Sequence, residues 1–200
     1  AMAYKLQRNG IPVALAVTFD PTRVLQKPVP GNVERFINLY QSTNLLGGGS
    51  SERASNFRGH FANVNLRERD GLGHITIDKS RVLHEAIIPK FVQAASSGMP
   101  PNDDPVPISY VVPKEAALEI WDSGIAIRAD NADTIETLSV KYGVPAWSIR
   151  SINALAEDAQ ITPGQNIVIP RHLPASSATA QAIGGPLPEA MALTQSQMPR

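Results

Sequence analysis

An unbroken apolar stretch near the start of the chain, VALAVTFDP at residues 13–21, most constrains the fold. Both alternations of this stretch are apolar, which is the pattern of a strand buried between helix layers in a parallel sheet. The preceding MAYKLQRNG reads as a helix that ends at Gly10, as a connection into such a strand requires. Asp20 follows the strand at its carboxyl end, where open α/β sheets place their sites. The sequence therefore predicts an α/β fold for the N-terminal part.

Three further elements are expected before residue 95. RFINLYQ at residues 35–41 reads as a second strand, and GHFANVNL at residues 59–66 as an additional edge strand. The glycine-bracketed loop DGLGHITID then presents His74. KSRVLHEAIIPKFVQAA predicts a closing amphipathic helix. The side chains expected to cover the sheet are Val82, Ile87 and Phe91.

This order of elements resembles the C-terminal portion of an α/β-hydrolase of the lipase or thioesterase type, over about residues 1–95. In that family the catalytic residues follow the chain as Ser, then Asp, then His. The resemblance implies that Asp20 is the acid and His74 the base of a catalytic triad. It also implies a serine nucleophile upstream of residue 1, so the chain is expected to be a fragment of a longer protein.

Purely structural roles remain open for these residues. Asp20 before a proline can simply start a turn, with its carboxylate bonded to the backbone. GGGSS at residues 47–51 lacks the spacing of a nucleophile elbow and of a phosphate loop, which favours a flexible loop. No histidine pair has metal-ligand spacing with a nearby carboxylate, so neither a metal site nor a cofactor is predicted. The other histidines read as structural, exposed or part of the tail: His60, His84 and His172.

Composition narrows the class of protein. The chain has 200 residues, 42% of them hydrophobic, with 18 basic and 18 acidic side chains, which describes one or two globular domains. This balance favours neither nucleic acid nor an anionic membrane as a partner. No apolar run approaches about eighteen residues, so no membrane span is predicted. Cysteine is absent, which excludes disulfides and thiolate metal sites. No secretory leader pattern is present, and no oligomeric state follows from the composition.

The chain is predicted to divide into four parts. Residues 1–95 form the truncated hydrolase-like domain. Residues 96–123 read as a poorly packed linker, because they begin with the proline-rich SSGMPPNDDPVP. A compact segment covers residues 124–170. Residues 171–200 are expected to be a disordered tail, because they are rich in small, polar and proline residues.

The compact segment reads as strand, helix, helix, strand, with the strands at residues 125–129 and 166–170. Asp133 is expected to cap the first helix, with Glu136 completing a capping box. Gly143 supplies a left-handed stop, and Pro145 begins the second helix, which ends near Asn153. The residues expected to face inward are Ile135, Leu138, Tyr142, Ile149 and Ile152.

Five short motifs within this segment resemble the LysM (lysin motif) family, a small α+β domain of βααβ order. They are Ala132-Asp133-Thr134-Ile135, Tyr142-Gly143-Val144, Asn153-Ala154-Leu155, Ile161-Thr162-Pro163-Gly164-Gln165 and Ile169-Pro170. Two positions depart from the family pattern, since Ala132 stands for the usual Gly and Ile135 for Leu. The order of all five motifs makes the resemblance specific.

The resemblance implies binding of glycans that contain N-acetylglucosamine, peptidoglycan or chitin, in a shallow groove between two loops. One loop would contribute Asn131, Asp133, Thr134 and Ile135, and the other Leu155, Gln160, Ile161 and Thr162. It also implies a cell-envelope location, periplasmic or extracellular, with a bacterial source favoured. A folded spacer remains the alternative, in which Asp133 is only a cap and Ile135 and Ile161 are only core.

Three functions follow as expectations. The first is glycan binding through the LysM segment, attached to an incomplete serine-hydrolase-like domain. The second is a wall-anchored lipase, esterase or thioesterase whose serine lies upstream of this chain. The third is an inactive hydrolase-like scaffold that positions a partner.

Overall fold

The computed structural model describes residues 2–22, 26–41, 48–74, 76–96 and 104–171. The N-terminal part contains α1 (Met2–Arg8), β1 (Ala16–Phe19), β2 (Arg35–Tyr40), β3 (His60–Asn65), α2 (Arg81–Ser96) and β4 (Ile108–Val111). The rest, here called the C-terminal module, contains β5 (Ser123–Arg128), α3 (Ile135–Tyr142), α4 (Ala146–Ile152) and β6 (Asn166–Arg171). The protein thus has a mixed α/β fold. None of the helices in these ranges is long and apolar enough to cross a membrane.

The N-terminal part is built on a parallel sheet with strand order β1-β2-β3-β4. β2 and β3 are fully buried, as interior strands of a parallel sheet require. β3 was expected at an edge, but it lies between β2 and β4. β1 was expected to be buried, but all four of its residues are only half-buried, because it pairs with β2 alone among the described residues.

One face of the sheet is apolar and is covered by α2. Ile37, Ala62 and Ile108 lie side by side across three strands in this face. α2 reaches it with Leu83 and Ile87, which belong to the same core cluster. The expectation that Val82 and Phe91 cover the sheet is wrong, because they are 55% and 45% exposed. The buried stripe follows helical spacing from Leu83 through Ile87, Lys90 and Ala94.

The opposite face carries a row of polar side chains. Thr18, Asn38 and Asn63 are neighbours in register on β1, β2 and β3. The Asn38 amide donates to Asn63 Oδ1 at 3.0 Å and to the Gly49 carbonyl at 2.8 Å, and Asn63 Oδ1 also accepts from Ser51 N at 2.8 Å. The described part of the glycine-rich loop is therefore fastened to the sheet instead of free, because buried amides need partners.

The predicted linker over residues 96–123 differs from the structure in its second half. Residues 108–111 form β4, whose alternate residues Ile108 and Tyr110 are buried against the sheet core. Trp121 is fully buried as well. The prolines flank β4 without interrupting it, which an outer strand tolerates. Residues 97–103 and the predicted tail from residue 172, with His172, lie outside the described ranges.

The C-terminal module has the expected order of strand, helix, helix, strand. β5 and β6 pair antiparallel, from Ser123 opposite Arg171 to Arg128 opposite Asn166. The helices pack on this pair through a separate apolar core. The buried members of that core are Ala129, Ile135, Leu138, Val144, Ile149, Ile167 and Ile169. Ile152, expected to face inward with Ile149, instead packs against the core of the parallel sheet.

Candidate functional site

Two loops of the C-terminal module are held side by side by the ends of its strands. Ala129 N donates to the Gln165 carbonyl at 2.9 Å, and Gly164 N donates to the Ala129 carbonyl at 2.8 Å. These bonds extend the β5–β6 ladder by one residue. The loop at residues 130–134 therefore begins beside the loop that ends at Gly164.

The first loop is closed by a threonine pair instead of the expected Asp133 and Glu136. Thr134 Oγ1 accepts from Thr137 N at 3.1 Å, and Thr137 Oγ1 accepts from Thr134 N at 2.7 Å, which is a reciprocal capping box. Asp133 instead accepts from Asp130 N at 2.8 Å and braces the turn. Since a hydroxyl can fill both positions of the box, the cap lies one residue later than predicted.

Glu136 does not take part in the capping box and instead forms an ion pair with Arg150 on α4. Its Oε1 lies 2.7 Å from Arg150 Nη2. Hydrogen bonding to this guanidinium lowers the pKa of Glu136 below its ordinary value of 4.5. The pair joins the start of α3 to α4 next to the first loop.

Two positions of the first loop concern the expected groove and the family pattern: the burial of Ile135 and the backbone conformation of Ala132. Ile135 was expected both to face inward and to contribute to the groove, and it is 2% exposed and packs in the core of the module. It begins the apolar stripe of α3, so its side chain points inward. Ala132 stands at a usual glycine position without strain, since Asp20 and Ala154 are the only described non-glycine residues with positive φ.

The second loop presents both polar and apolar groups. Gln160 and Thr162 are exposed, while Leu155 and Ile161 are half-buried against the core of the module. Thr162 N and Oγ1 both donate to Gln165 Oε1, at 3.0 and 3.3 Å, which sets the shape of the turn. In the first loop, Asn131 and Thr134 are exposed and Asp133 is half-buried.

Asn153 fixes the start of the second loop, a role that the sequence analysis did not assign. Its side chain accepts from Val168 N at 2.8 Å and donates to the carbonyls of Val168 and Ile149, both at 2.8 Å. The amide group thereby pairs with β6 as a short strand would. The Asn153-Ala154-Leu155 motif was visible in the sequence, and it carried the signal for this contact.

The structure brings Asp20 and His74 together at the carboxyl end of β1. Asp20 Oδ2 lies 2.8 Å from His74 Nδ1, across 54 positions of sequence. The Asp20 side chain is buried, while that of His74 is 29% exposed. Asp20 adopts φ 41°, and its N–H still bonds to the Leu39 carbonyl at 2.7 Å. Its other carboxylate oxygen accepts from Gln41 N at 3.4 Å.

This arrangement holds the imidazole in one orientation. A buried carboxylate at Nδ1 favours the tautomer with the proton on that nitrogen, which leaves Nε2 as the basic one. A turn starter would bond the backbone close by, whereas the Asp20 carboxylate reaches His74 and Gln41 on other segments. The pair can therefore support proton transfer.

The other described histidines have other partners, and the ring of His84 packs edge-on against Phe19, the residue before Asp20. His60 is buried, with Nδ1 2.8 Å from Ser123 Oγ and 3.3 Å from Asp122 Oδ2. His84 is exposed on α2 and contacts the Asp78 carbonyl. Within the described residues, no group of three or more histidine, aspartate or glutamate side chains could hold a metal ion.

Comparison with known proteins bears on the C-terminal module. No curated protein and no solved structure matches the chain. The α/β-hydrolase resemblance over residues 1–95 gains no support from the comparisons. Residues 131–170, a fifth of the chain, match the family model of the LysM domain, which supports glycan binding of the peptidoglycan type in general.

Proposed function

We propose that the protein binds N-acetylglucosamine-containing glycans, peptidoglycan or chitin, in a groove between residues 130–134 and 155–162. The observation that carries the proposal is the LysM match over residues 131–170. The main-chain bonds at Ala129 and Gly164, which set the two loops beside each other, support it. LysM domains are typically extracellular or associated with the cell wall, so we place the protein in the cell envelope.

The groups exposed on these loops suit an acetamido sugar. The side chains of Asn131, Gln160 and Thr162 offer amide and hydroxyl groups for the acetamido group and the ring hydroxyls. Leu155 and Ile161 offer half-buried apolar surface for the acetyl methyl group. Ile135 contributes only backbone groups, because its side chain is buried. A single site of this kind is expected to bind weakly and to gain from repeated glycan units.

Co-sedimentation with insoluble peptidoglycan and with chitin tests this function. We expect the double variant Asn131→Glu with Gln160→Glu to lose about thirty-fold in binding, because each of the two lost hydrogen bonds contributes about 1 kcal/mol. Both positions are exposed, so the fold should persist. Val140→Glu is the matched control, because Val140 is 84% exposed on α3 outside both loops. Wild-type binding by the double variant would place the glycan elsewhere.

A second candidate function rests on the Asp20–His74 pair. We propose that it is the acid and base of a serine hydrolase acting on esters or thioesters, with the nucleophile upstream of residue 1. His74 Nε2 would take the serine proton, and Asp20 would hold the tautomer and balance the imidazolium. An apolar cavity of about 550 Å³, lined in part by Leu15, Val17 and Phe36, lies beside the strand that ends at Asp20 and would suit an apolar acyl group.

Labelling with a fluorophosphonate serine probe tests this candidate in the longest form of the protein that folds cooperatively. We expect labelling by the wild type and its loss in His74→Gln, while His84→Gln, an exposed histidine on α2, labels normally. A folded protein that never labels would leave the inactive scaffold as the remaining alternative. Glycan co-sedimentation should be the same in all three proteins.

A further inference from the structure

The C-terminal module covers β4, which would otherwise be the outer strand of the parallel sheet. Just before β4, Val106 and Gly124 exchange two main-chain bonds of 2.9 and 2.8 Å. At the end of β4, Ser151 Oγ accepts from Val111 N at 2.9 Å and donates to the Val111 carbonyl at 3.2 Å. An exposed edge strand offers such groups to other chains, and here the module satisfies them.

Gly124 allows this close approach. A Cβ atom at this position would lie 2.4 Å from Val168 Cγ1 in β6 and 3.0 Å from Ile108 Cγ2 in β4. Its φ is not in the left-handed region, so the requirement is for space and not for conformation. The start of β5 can therefore pack closely against the parallel sheet.

An aromatic cluster fills the same interface. Trp121 packs edge-to-face on Tyr110 of β4 and at a tilted angle on Trp147 of α4, at ring-centroid distances of 5.3 and 5.5 Å. Tyr110 and Trp121 are buried. Aromatic pairs of this geometry stabilise beyond the area that they bury. Because the chain has two tryptophans, its tryptophan fluorescence reports this interface alone.

A buried charged cluster adds a third layer of contact. Asp122 Oδ2 lies 2.8 Å from Arg35 Nη1 of β2 and 3.3 Å from His60 Nδ1 of β3. Ser123 Oγ donates to Asp122 Oδ1 at 3.2 Å and accepts from Arg171 Nε of β6 at 3.0 Å. The cluster therefore spans both the parallel sheet and the module. Buried charges are tolerated only with partners in good geometry. The cluster therefore favours a single position of the module against the parallel sheet.

We propose that the C-terminal module has a second role, as the closing element of the parallel sheet. In this role it satisfies the backbone of β4, completes the core beneath Tyr110 and neutralises Arg35. The sheet then depends on the module for its stability, and the two fold as one cooperative unit. If the module were only tethered by a linker, the sheet would not depend on it for stability, and the two parts would unfold independently. This role does not require glycan binding.

Hydrogen exchange of β2 and β3 amides in the 200-residue chain tests the dependence. Gly143 ends α3 at φ 64°, and a Cβ there would meet no atom within 4 Å, so Gly143→Ala strains the module without touching the sheet. We expect β2 and β3 amides to exchange about five-fold faster in this variant, together with those of α3. Val140→Ala, an exposed change on the same helix, should leave both sets unchanged.

Faster exchange in α3 with wild-type exchange in β2 and β3 would overturn the proposal. A second variant, Ser151→Ala, removes both side-chain bonds to Val111 and should lower the urea midpoint measured by tryptophan emission and by circular dichroism equally. Separate midpoints for the two signals in the wild type would also overturn it, because independent units unfold independently.

Discussion

Asp122 is a buried residue on which several elements converge. Its carboxylate meets Arg35 from β2, His60 from β3 and the adjacent Ser123 hydroxyl. It also lies near Lys90 of α2, whose pKa is lowered by burial, while attraction to Asp122 and Glu119 opposes this shift. One carboxylate therefore faces two buried basic side chains, Arg35 and Lys90, beside the ring of His60. Removing it would leave Arg35 charged and buried without a counterion.

We expect Asp122→Ala to lower the free energy of unfolding by about 3–5 kcal/mol, because it leaves an uncompensated buried charge. Urea unfolding followed by circular dichroism measures this. Asp158→Ala is the control, because Asp158 is an exposed acid in the same module and should change little. A loss below about 1 kcal/mol in Asp122→Ala would show that Arg35 finds another partner.

The Asp20–His74 contact makes a separate prediction about tautomers. We expect nitrogen NMR of His74 to show the proton on Nδ1 in the neutral ring, because the Asp20 carboxylate lies 2.8 Å from that nitrogen. Asp20→Asn should shift the ring toward the Nε2 tautomer, since an amide can donate to Nδ1. An unchanged tautomer would mean that the carboxylate does not orient the ring.

At the scale of elements, α3 shows how a helix start can be displaced by one residue. Asp133-Thr134-Ile135-Glu136-Thr137 contains two overlapping capping patterns, one beginning at Asp133 and one at Thr134. The structure selects the second, with Thr134 and Thr137 bonded reciprocally. The choice places Ile135 at the start of the helix, where its side chain enters the core of the module.

Alanine substitutions separate the two capping patterns. Thr134→Ala should destabilise the protein by about 1 kcal/mol, because it removes the acceptor for Thr137 N. Asp133→Ala should cost less, because it removes only the contact to Asp130 N in an exposed turn. Thermal unfolding of both variants measures the difference. A larger loss in Asp133→Ala would restore the cap predicted from the sequence.

The ion pair between α3 and α4 predicts acid sensitivity. The pKa of Glu136 is lowered in the folded protein, so the pair stabilises the fold above the ordinary value of 4.5 and this contribution is lost as the pH falls through the lowered pKa. The melting temperature of Glu136→Gln should therefore differ from wild type near neutral pH and converge with it in acid. A constant difference across that range would exclude this titration as the cause.

At the scale of the whole molecule, the two proposed roles of the C-terminal module are linked. If glycan binds the folded module and the module closes the sheet, a soluble N-acetylglucosamine oligosaccharide should stabilise the entire protein. At one hundred times the dissociation constant the gain is about 2.7 kcal/mol. The expected observation is slower exchange of β2 and β3 amides on addition of oligosaccharide. In the double variant Asn131→Glu with Gln160→Glu, the same addition should slow exchange much less, because its site is weaker.

Much of the architecture could be predicted because local patterns carried it. The aromatic and branched apolar residues of RFINLYQ favour a strand, and β2 was placed correctly. Gly143 adopts the predicted left-handed conformation, and α4 ends at Ile152, with the predicted Asn153 as its C-cap. β4 was missed because ISYV is short and lies between prolines. The prolines favoured a linker, and four alternating residues were too few to indicate a strand.

The sequence by itself determined every helix and every strand except β4, the parallel-sheet class and the LysM motifs, because each of these depends on residues close together in the chain. Only the tertiary structure decided that β3 is interior, that Ile152 packs against the core of the parallel sheet, and that Asp122, 87 positions from Arg35, neutralises it. Partners of buried charges and neighbours in a sheet are set by packing between distant segments, and periodicity within one segment does not encode them. The docking of the module on β4 depends on the same kind of contact.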